Sequence, residues 1–174
     1  MGFLDKFTKR RMSYEDSARL LLSVSTAGLG LFFDKIIPDI SEDLGIDLDD
    51  VDWNVLRAEV MFVCLWAATK ALEGEKQELI EMIHNGFFNI IKDERHQQLK
   101  EVFAQRSKKY DEAWDESSGG NQSILSVTIL SELFYAGKLN PDLLDIRPMF
   151  IVQTFVFNTM ENVLNARNEI SFTR

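Results

Sequence analysis

The sequence predicts an all-α protein, a single-domain bundle of about six helices around one central apolar helix at residues 52–72. Three observations predict it. Every strongly patterned segment repeats its apolar residues at the helical period, and glycine and proline fall between such segments. The stretch DWNVLRAEVMFVCLWAATKAL is apolar in almost every direction when wound as a helix, so it must be surrounded. A chain of 174 residues that is 45% hydrophobic, with 13 Phe and only 3 Pro, buries one core and needs no division. The expected organisation is a flexible basic segment over residues 1–12 and one helical domain over residues 13–170.

The N-terminal MGFLDKFTKRRM sets Phe3, Leu4 and Phe7 beside Lys6, Lys9, Arg10 and Arg11. This suits a free basic end; contact with an anionic membrane surface is the lesser reading, because one or two turns of helix bury little. Ser13, with Asp16 three residues on, caps a first helix expected to run to about Ile37 and stop at Pro38. Asp16, Arg19, Ser23, Thr26, Ala27, Gly30 and Asp34 form a stripe of small and polar residues along it, expected to admit a neighbouring helix at close range.

Residues 38–52, PDISEDLGIDLDDVD, hold seven acids and no base. They read as a connecting loop tacked to the core by Ile40, Leu44, Ile46, Leu48 and Val51, with the acids in water. Asp39, Ser41, Asp43, Gly45, Asp47 and Asp50 also fall at the ligand spacing of an EF-hand calcium loop. However, Leu44 stands where that loop needs glycine, and Asp50 where a bidentate Glu is usual.

The central helix takes Asp52 as its N-cap and ends at Glu73-Gly74, and it is too short and too interrupted by Arg57, Glu59 and Lys70 to span a membrane. As one helix, residues 74–117 would be about 65 Å long, against a radius of gyration of about 16 Å for the chain. A break is therefore expected at Asn85-Gly86, giving helices over about 75–84 and 90–114. The second has Ile91, Leu99, Val102, Phe103, Tyr110 and Trp114 inward and pairs such as Lys108 with Glu112 outward. After a Ser- and Gly-rich connection come an apolar helix over residues 123–137, a short helix from Asn140-Pro141, and a last long helix from Pro148 to about Asn168. This last helix has a broad apolar side, including Phe150, Phe157 and Leu164, and a strip of Thr154, Asn158, Glu161, Asn165 and Asn168. Asn is a poor helix former, so the strip reads as a solvent face first and, as the lesser reading, as a surface whose amides find partners.

A net charge of −9 argues against nucleic acid and for a basic protein or a cation. The lone Cys64 forms no internal disulfide, and with no leader-like apolar run at the N-terminus it points to a reducing, cytoplasmic setting and an inert core thiol. The sequence contains no nucleophile elbow, phosphate loop, dinucleotide fingerprint or C-x-x-C, so no catalytic residue and no cofactor is assigned.

Glu81 and His84 form an E-x-x-H pair of the kind used by di-iron bundles. The only sensible metal-ligand set is Glu59, Glu81, His84, Glu132 and Glu161. A carrier for a small hydrophobic ligand is a second alternative, motivated by Phe32, Phe62, Phe150, Phe155 and Phe157 beside Ala27, Gly30 and Ala67. The favoured reading is a non-enzymatic protein-interaction module with a basic protein partner. Its contact residues are Asp39, Glu42, Asp43, Asp47, Asp49 and Asp50 together with Thr154, Asn158, Glu161 and Asn165. A homodimer is expected instead if an apolar patch lies exposed.

Overall fold

The Oγ of Ser13 accepts a hydrogen bond from the backbone N–H of Asp16 at 3.0 Å, and this cap starts the first helix. The computed structural model describes residues 9–90, 96–118, 123–135 and 146–172. Helix α1 (Tyr14–Thr26) passes through Ala27-Gly28 into α2 (Leu29–Leu31), a π-wound turn (Phe32–Ile36) and α3 (Ile37–Leu44). The expected stop at Pro38 is therefore corrected. The chain widens to a π turn just ahead of the proline, which then sits in the first turn of α3, where a missing N–H breaks no α-helical bond. The rod ends at Gly45, whose φ of 65° is open to glycine at little cost.

The small-residue stripe also behaves otherwise than expected. Ser23, Ala27 and Gly30 face water, and the buried side of α1 is instead Ser17, Ala18, Leu21, Leu22 and Ser25. Ser17 and Ser25 are tolerated inside because their hydroxyls donate to the carbonyls of Ser13 and Leu22.

A 3-10 turn (Leu48–Asp50) is capped by Asp47, whose Oδ1 accepts from the N–H of Asp49 at 2.9 Å. Asp52 then caps α4 (Trp53–Ala71), accepting from the N–H groups of Asn54 and Val55. Helix α4 is the central helix: it packs against α1, α5 (Gln77–Ile90), α6 (His96–Ser118), α7 (Ser123–Tyr135) and α8 (Ile146–Asn168). Val60, Leu65, Ala67 and Ala68 on it are wholly excluded from solvent. Phe62 packs on Phe87 and Phe103, and Trp66 meets Tyr110 and Trp114 edge-on. Each large side chain buried this way is worth roughly 1.5–3 kcal/mol, several times any difference in helix propensity, so packing holds α4 in place.

Helix α5 continues through Asn85-Gly86, where a break was expected. A Cβ built on Gly86 would lie 3.4 Å from the Cδ2 of Leu22, so this glycine serves the close approach of α1 and α5 and ends nothing. On α6, Phe103 and Tyr110 are buried and the Lys108–Glu112 pair lies outward at 3.8 Å; Ile91 is outside the described residues. The same holds for the short helix expected at Asn140-Pro141 and for the end of the helix expected at Gly137. Helix α8 begins two residues ahead of Pro148, which occupies its third position.

Strand β1 (Arg10–Met12) pairs in parallel with β2 (Ile170–Phe172), and the ring of Tyr14 stacks on Phe172 at 4.4 Å. Three residues a side leave the all-α class intact. Residues 10–12 of the expected N-terminal segment are held in this pair, and β2 extends to Phe172.

Candidate functional site

Helix α8 carries its large apolar residues on both sides. Val152, Val156 and Val163 are buried, whereas Phe150 is 66% exposed, Phe157 45% and Leu164 41%. These last three recur every seven residues and so share one face. Thr154, Asn158, Glu161 and Asn165 are exposed beside them. The face combines ring and aliphatic surface with amides and little charge. The hydroxyl of Thr154 donates to the carbonyl of Phe150 at 2.8 Å, which leaves the neighbouring amides as the available hydrogen-bonding groups. Towards the start of α8 this face borders a groove of about 360 Å³, whose other wall is α2 and the π turn; Leu31, Ile36, Phe150, Phe155 and Asn158 line it. Gly28 helps form that wall, with Phe155 3.6 Å from where its Cβ would stand.

One acidic residue is tied to the start of α8, whereas Asp47 and Asp50 line a separate pocket beside Glu59 and Arg106. The Nη1 of Arg147, in the first turn of α8, is 2.9 Å from the Oδ1 of Asp43 at the end of α3. Asp39 stands one turn earlier on α3, exposed, as are Glu42, Asp47, Asp49 and Asp50. This ion pair ties the end of α3 to the start of α8. Asp43 and Asp47 are partly committed already, Asp43 to Arg147 and Asp47 to its turn. The calcium-loop spacing does not survive folding: Asp39, Ser41 and Asp43 are helical, and Ser41 is turned into the core at 2% exposure. A helix cannot wrap an ion as that loop does.

The proposed metal-ligand set is dispersed. Glu59 and Glu132 are buried, and their counter-charges come from α6. Arg106 donates to both oxygens of Glu59 at 2.9–3.0 Å and lies 3.0 Å from the Oε2 of Glu132, and the Nζ of Lys109 donates to the other oxygen of Glu132 at 2.5 Å. Burial pushes the Glu59 carboxyl up, outweighing the pull of Arg106 in the other direction. Tyr110 lies beside them with its hydroxyl buried, and desolvation, reinforced by Glu59, raises its pKa strongly. Sequence reasoning looked three and four residues away on the same helix and missed Arg106, which lies 47 residues on. Glu161 is on the exposed face of α8, far round the bundle from this cluster.

Glu81 and His84 line a different place, an open cleft of about 580 Å³ between α4, α5 and α6. The Nε2 of His84 is 2.8 Å from the Oγ1 of Thr69, and its ring stands edge-on to Phe103 at 5.3 Å. Burial lowers the pKa of His84, with Glu81 opposing more weakly. Among the described residues no group of three or more His, Cys, Asp and Glu is arranged to hold a metal ion.

Of the five Phe that suggested a carrier, Phe150 and Phe155 line the groove beside α8 and the others are not in its lining. Phe32 packs on Phe155 at 4.2 Å, Phe62 lies in the α4 core, and Phe150 and Phe157 reach solvent. Cys64 is buried, and desolvation pushes its thiol up to about 12, far from a reactive thiolate. Among the described residues, the rod from Tyr14 to Leu44 is long and apolar enough to cross a membrane, with a window of mean hydropathy 1.6. Leu21, Phe32, Ile37 and Ile40 along it are core residues of the bundle. Comparison of the chain with protein-family models, with curated proteins and with solved structures gives no match.

Proposed function

We propose that this chain is a non-enzymatic, cytoplasmic protein-interaction module that binds a basic partner across the exposed face of α8 and the acidic residues of α3 tied to its start. The observation that carries this reading is the row Phe150, Phe157 and Leu164 on one helix, each large and partly in solvent, although Phe157 also meets Trp114 at 5.9 Å. A single exposed Phe is ordinary, but an apolar row edged by polar residues is the usual anatomy of a protein contact. Charge complementarity selects the partner. The net charge is −9, and Asp39 and Glu42 lie exposed on α3, whose Asp43 is tied to the start of α8, so a partner with Lys and Arg around an apolar strip would be steered in and would then bury Phe150.

The test is capture on immobilised protein at low and high salt, with two variants run beside it. Loss of the captured protein at high salt and on Asp39→Lys with Glu42→Lys, and separate loss on Phe150→Ser, supports the reading. Recovery of the protein alone and monomeric overturns it. A salt-insensitive dimer of the chain that Phe150→Ser dissolves would replace the basic partner with a second copy.

A further inference from the structure

The cleft between α4, α5 and α6 lies apart from the α8 face and has unused chemistry of its own. Trp66, Phe88 and Phe103 are among the residues in its walls, which line a space of about 580 Å³, within the usual range for small-molecule sites, and at 2%, 2% and 6% exposure they show it only a small part of their rings. Two polar groups in those walls have no partner among the described residues. One is the buried Oγ of Ser107. The other is the second ring nitrogen of His84, whose protonation follows from its neighbour. The hydroxyl of Thr69 has one proton, and it donates that proton to the carbonyl of Leu65 at 2.8 Å. At its 2.8 Å contact with His84 the hydroxyl can therefore only accept, so Nε2 carries the hydrogen. Burial keeps the ring neutral, and Nδ1 is left with a bare lone pair.

The charges around the cleft balance against an anion. Lys70 is bound to Glu73 at 2.6 Å and lies 3.7 Å from Asp111, and Lys100 lies over the ring of Phe88 at 5.7 Å with Glu81 also in the wall. Two lysines in the wall stand against Glu73, Glu81 and Asp111, so the lining has no excess of positive charge.

We infer that this cleft binds a small, uncharged, planar aromatic molecule bearing a hydroxyl or ring N–H, which enters between α4, α5 and α6, touches the exposed parts of Trp66, Phe88 and Phe103 and donates its hydrogen to Nδ1 of His84. The hydroxyl of Ser107 supplies a second hydrogen bond from the opposite wall. No bond is made or broken; the site is a binding site.

The probe is 2-naphthol, with 2-methoxynaphthalene, which lacks the donor, as its control. The readout is the amide and indole NMR spectrum of the whole chain, in which the indole N–H of Trp66, bonded to Asp111 at 3.0 Å, reports from inside the cleft. The expected result is a saturable shift of the Trp66 indole and of residues around His84 and Ser107. The methoxy compound should bind about tenfold more weakly, as expected for one lost hydrogen bond. A folded His84→Ala variant should bind the two compounds equally. Shifts that never saturate, shifts centred on Phe150 and α8, or equal binding of both compounds to the unaltered protein would overturn the assignment. The last comparison needs no variant, so a His84→Ala chain that fails to fold leaves the question decidable.

Discussion

The guanidinium of Arg106 holds the buried carboxylate of Glu59 through three hydrogen bonds of 2.9–3.0 Å, joining α6 to the central helix. Glu132 lies against the same guanidinium, so one cation serves two buried anions. Removing it strands Glu59 and leaves Glu132 with Lys109. Arg106→Met is expected to cost about 3–5 kcal/mol, the range for an orphaned buried charge. Adding Glu59→Met should recover most of that loss, because Glu132 keeps Lys109 and an apolar pair replaces an ionic one. Urea midpoints of the two single variants and the double variant measure the coupling. Purely additive losses would show that the pair is not held as described.

Two buried groups oppose each other in their dependence on pH. His84 has a folded pKa below its ordinary 6.5, so as pH falls through 6.5 the unfolded chain takes up a proton before the folded one does, and stability is lost down to the folded value. Glu59 has a folded pKa above its ordinary 4.5, so its contribution runs the other way: it is fully present below 4.5 and is lost as pH rises through the folded value. The difference between the protein and a His84→Gln variant isolates the first effect. Between pH 8 and pH 5 the variant should lose less stability than the unaltered protein. Equal losses would mean that His84 titrates normally.

Cys64 is expected to be silent towards an aromatic disulfide reagent at pH 8, since burial both excludes the reagent and holds the thiol at about 12. Full reaction should appear in denaturing urea. Rapid labelling of the native protein would show that α4 is not surrounded.

The period of the apolar residues made the six long helices and the place of α4 legible, because burial on all sides leaves a mark in every turn of that sequence. The breaks were harder to read. Pro38 is a stop only if the turn before it is α-wound, and the π turn at Phe32–Ile36 depends on packing that no local pattern encodes. Gly86 resembles a helix end, yet its reason is Leu22 on another helix. The site residues show the same limit. Glu59 and Glu132 looked like unpaired ligands because their partner, Arg106, is remote in sequence. Phe150 and Phe157 read as core because composition cannot say which apolar side of α8 lacks a neighbour. The seven-residue recurrence of Phe150, Phe157 and Leu164 was the available signal.

Gly86 offers a prediction whose sign depends on the size of the substituent. In the middle of a helix glycine costs roughly 0.5–1 kcal/mol relative to alanine, because it gives up more backbone freedom on folding. Against that gain stands the contact that a methyl group would make with Leu22 Cδ2 at 3.4 Å, which is the far end of a flexible side chain and not backbone. A shift of a few tenths of an ångström relieves it. Gly86→Ala is therefore expected to stabilise the protein by up to about 1 kcal/mol. Gly86→Leu adds three more carbons where α1 and α5 already touch, and overpacking of that kind costs about 1–3 kcal/mol. The measurement is the urea midpoint of each variant. Opposite signs support a site with room for one carbon between α1 and α5 and for no more. A loss on Gly86→Ala as large as that on Gly86→Leu would mean that Leu22 cannot move and that the helices meet more tightly than 3.4 Å allows.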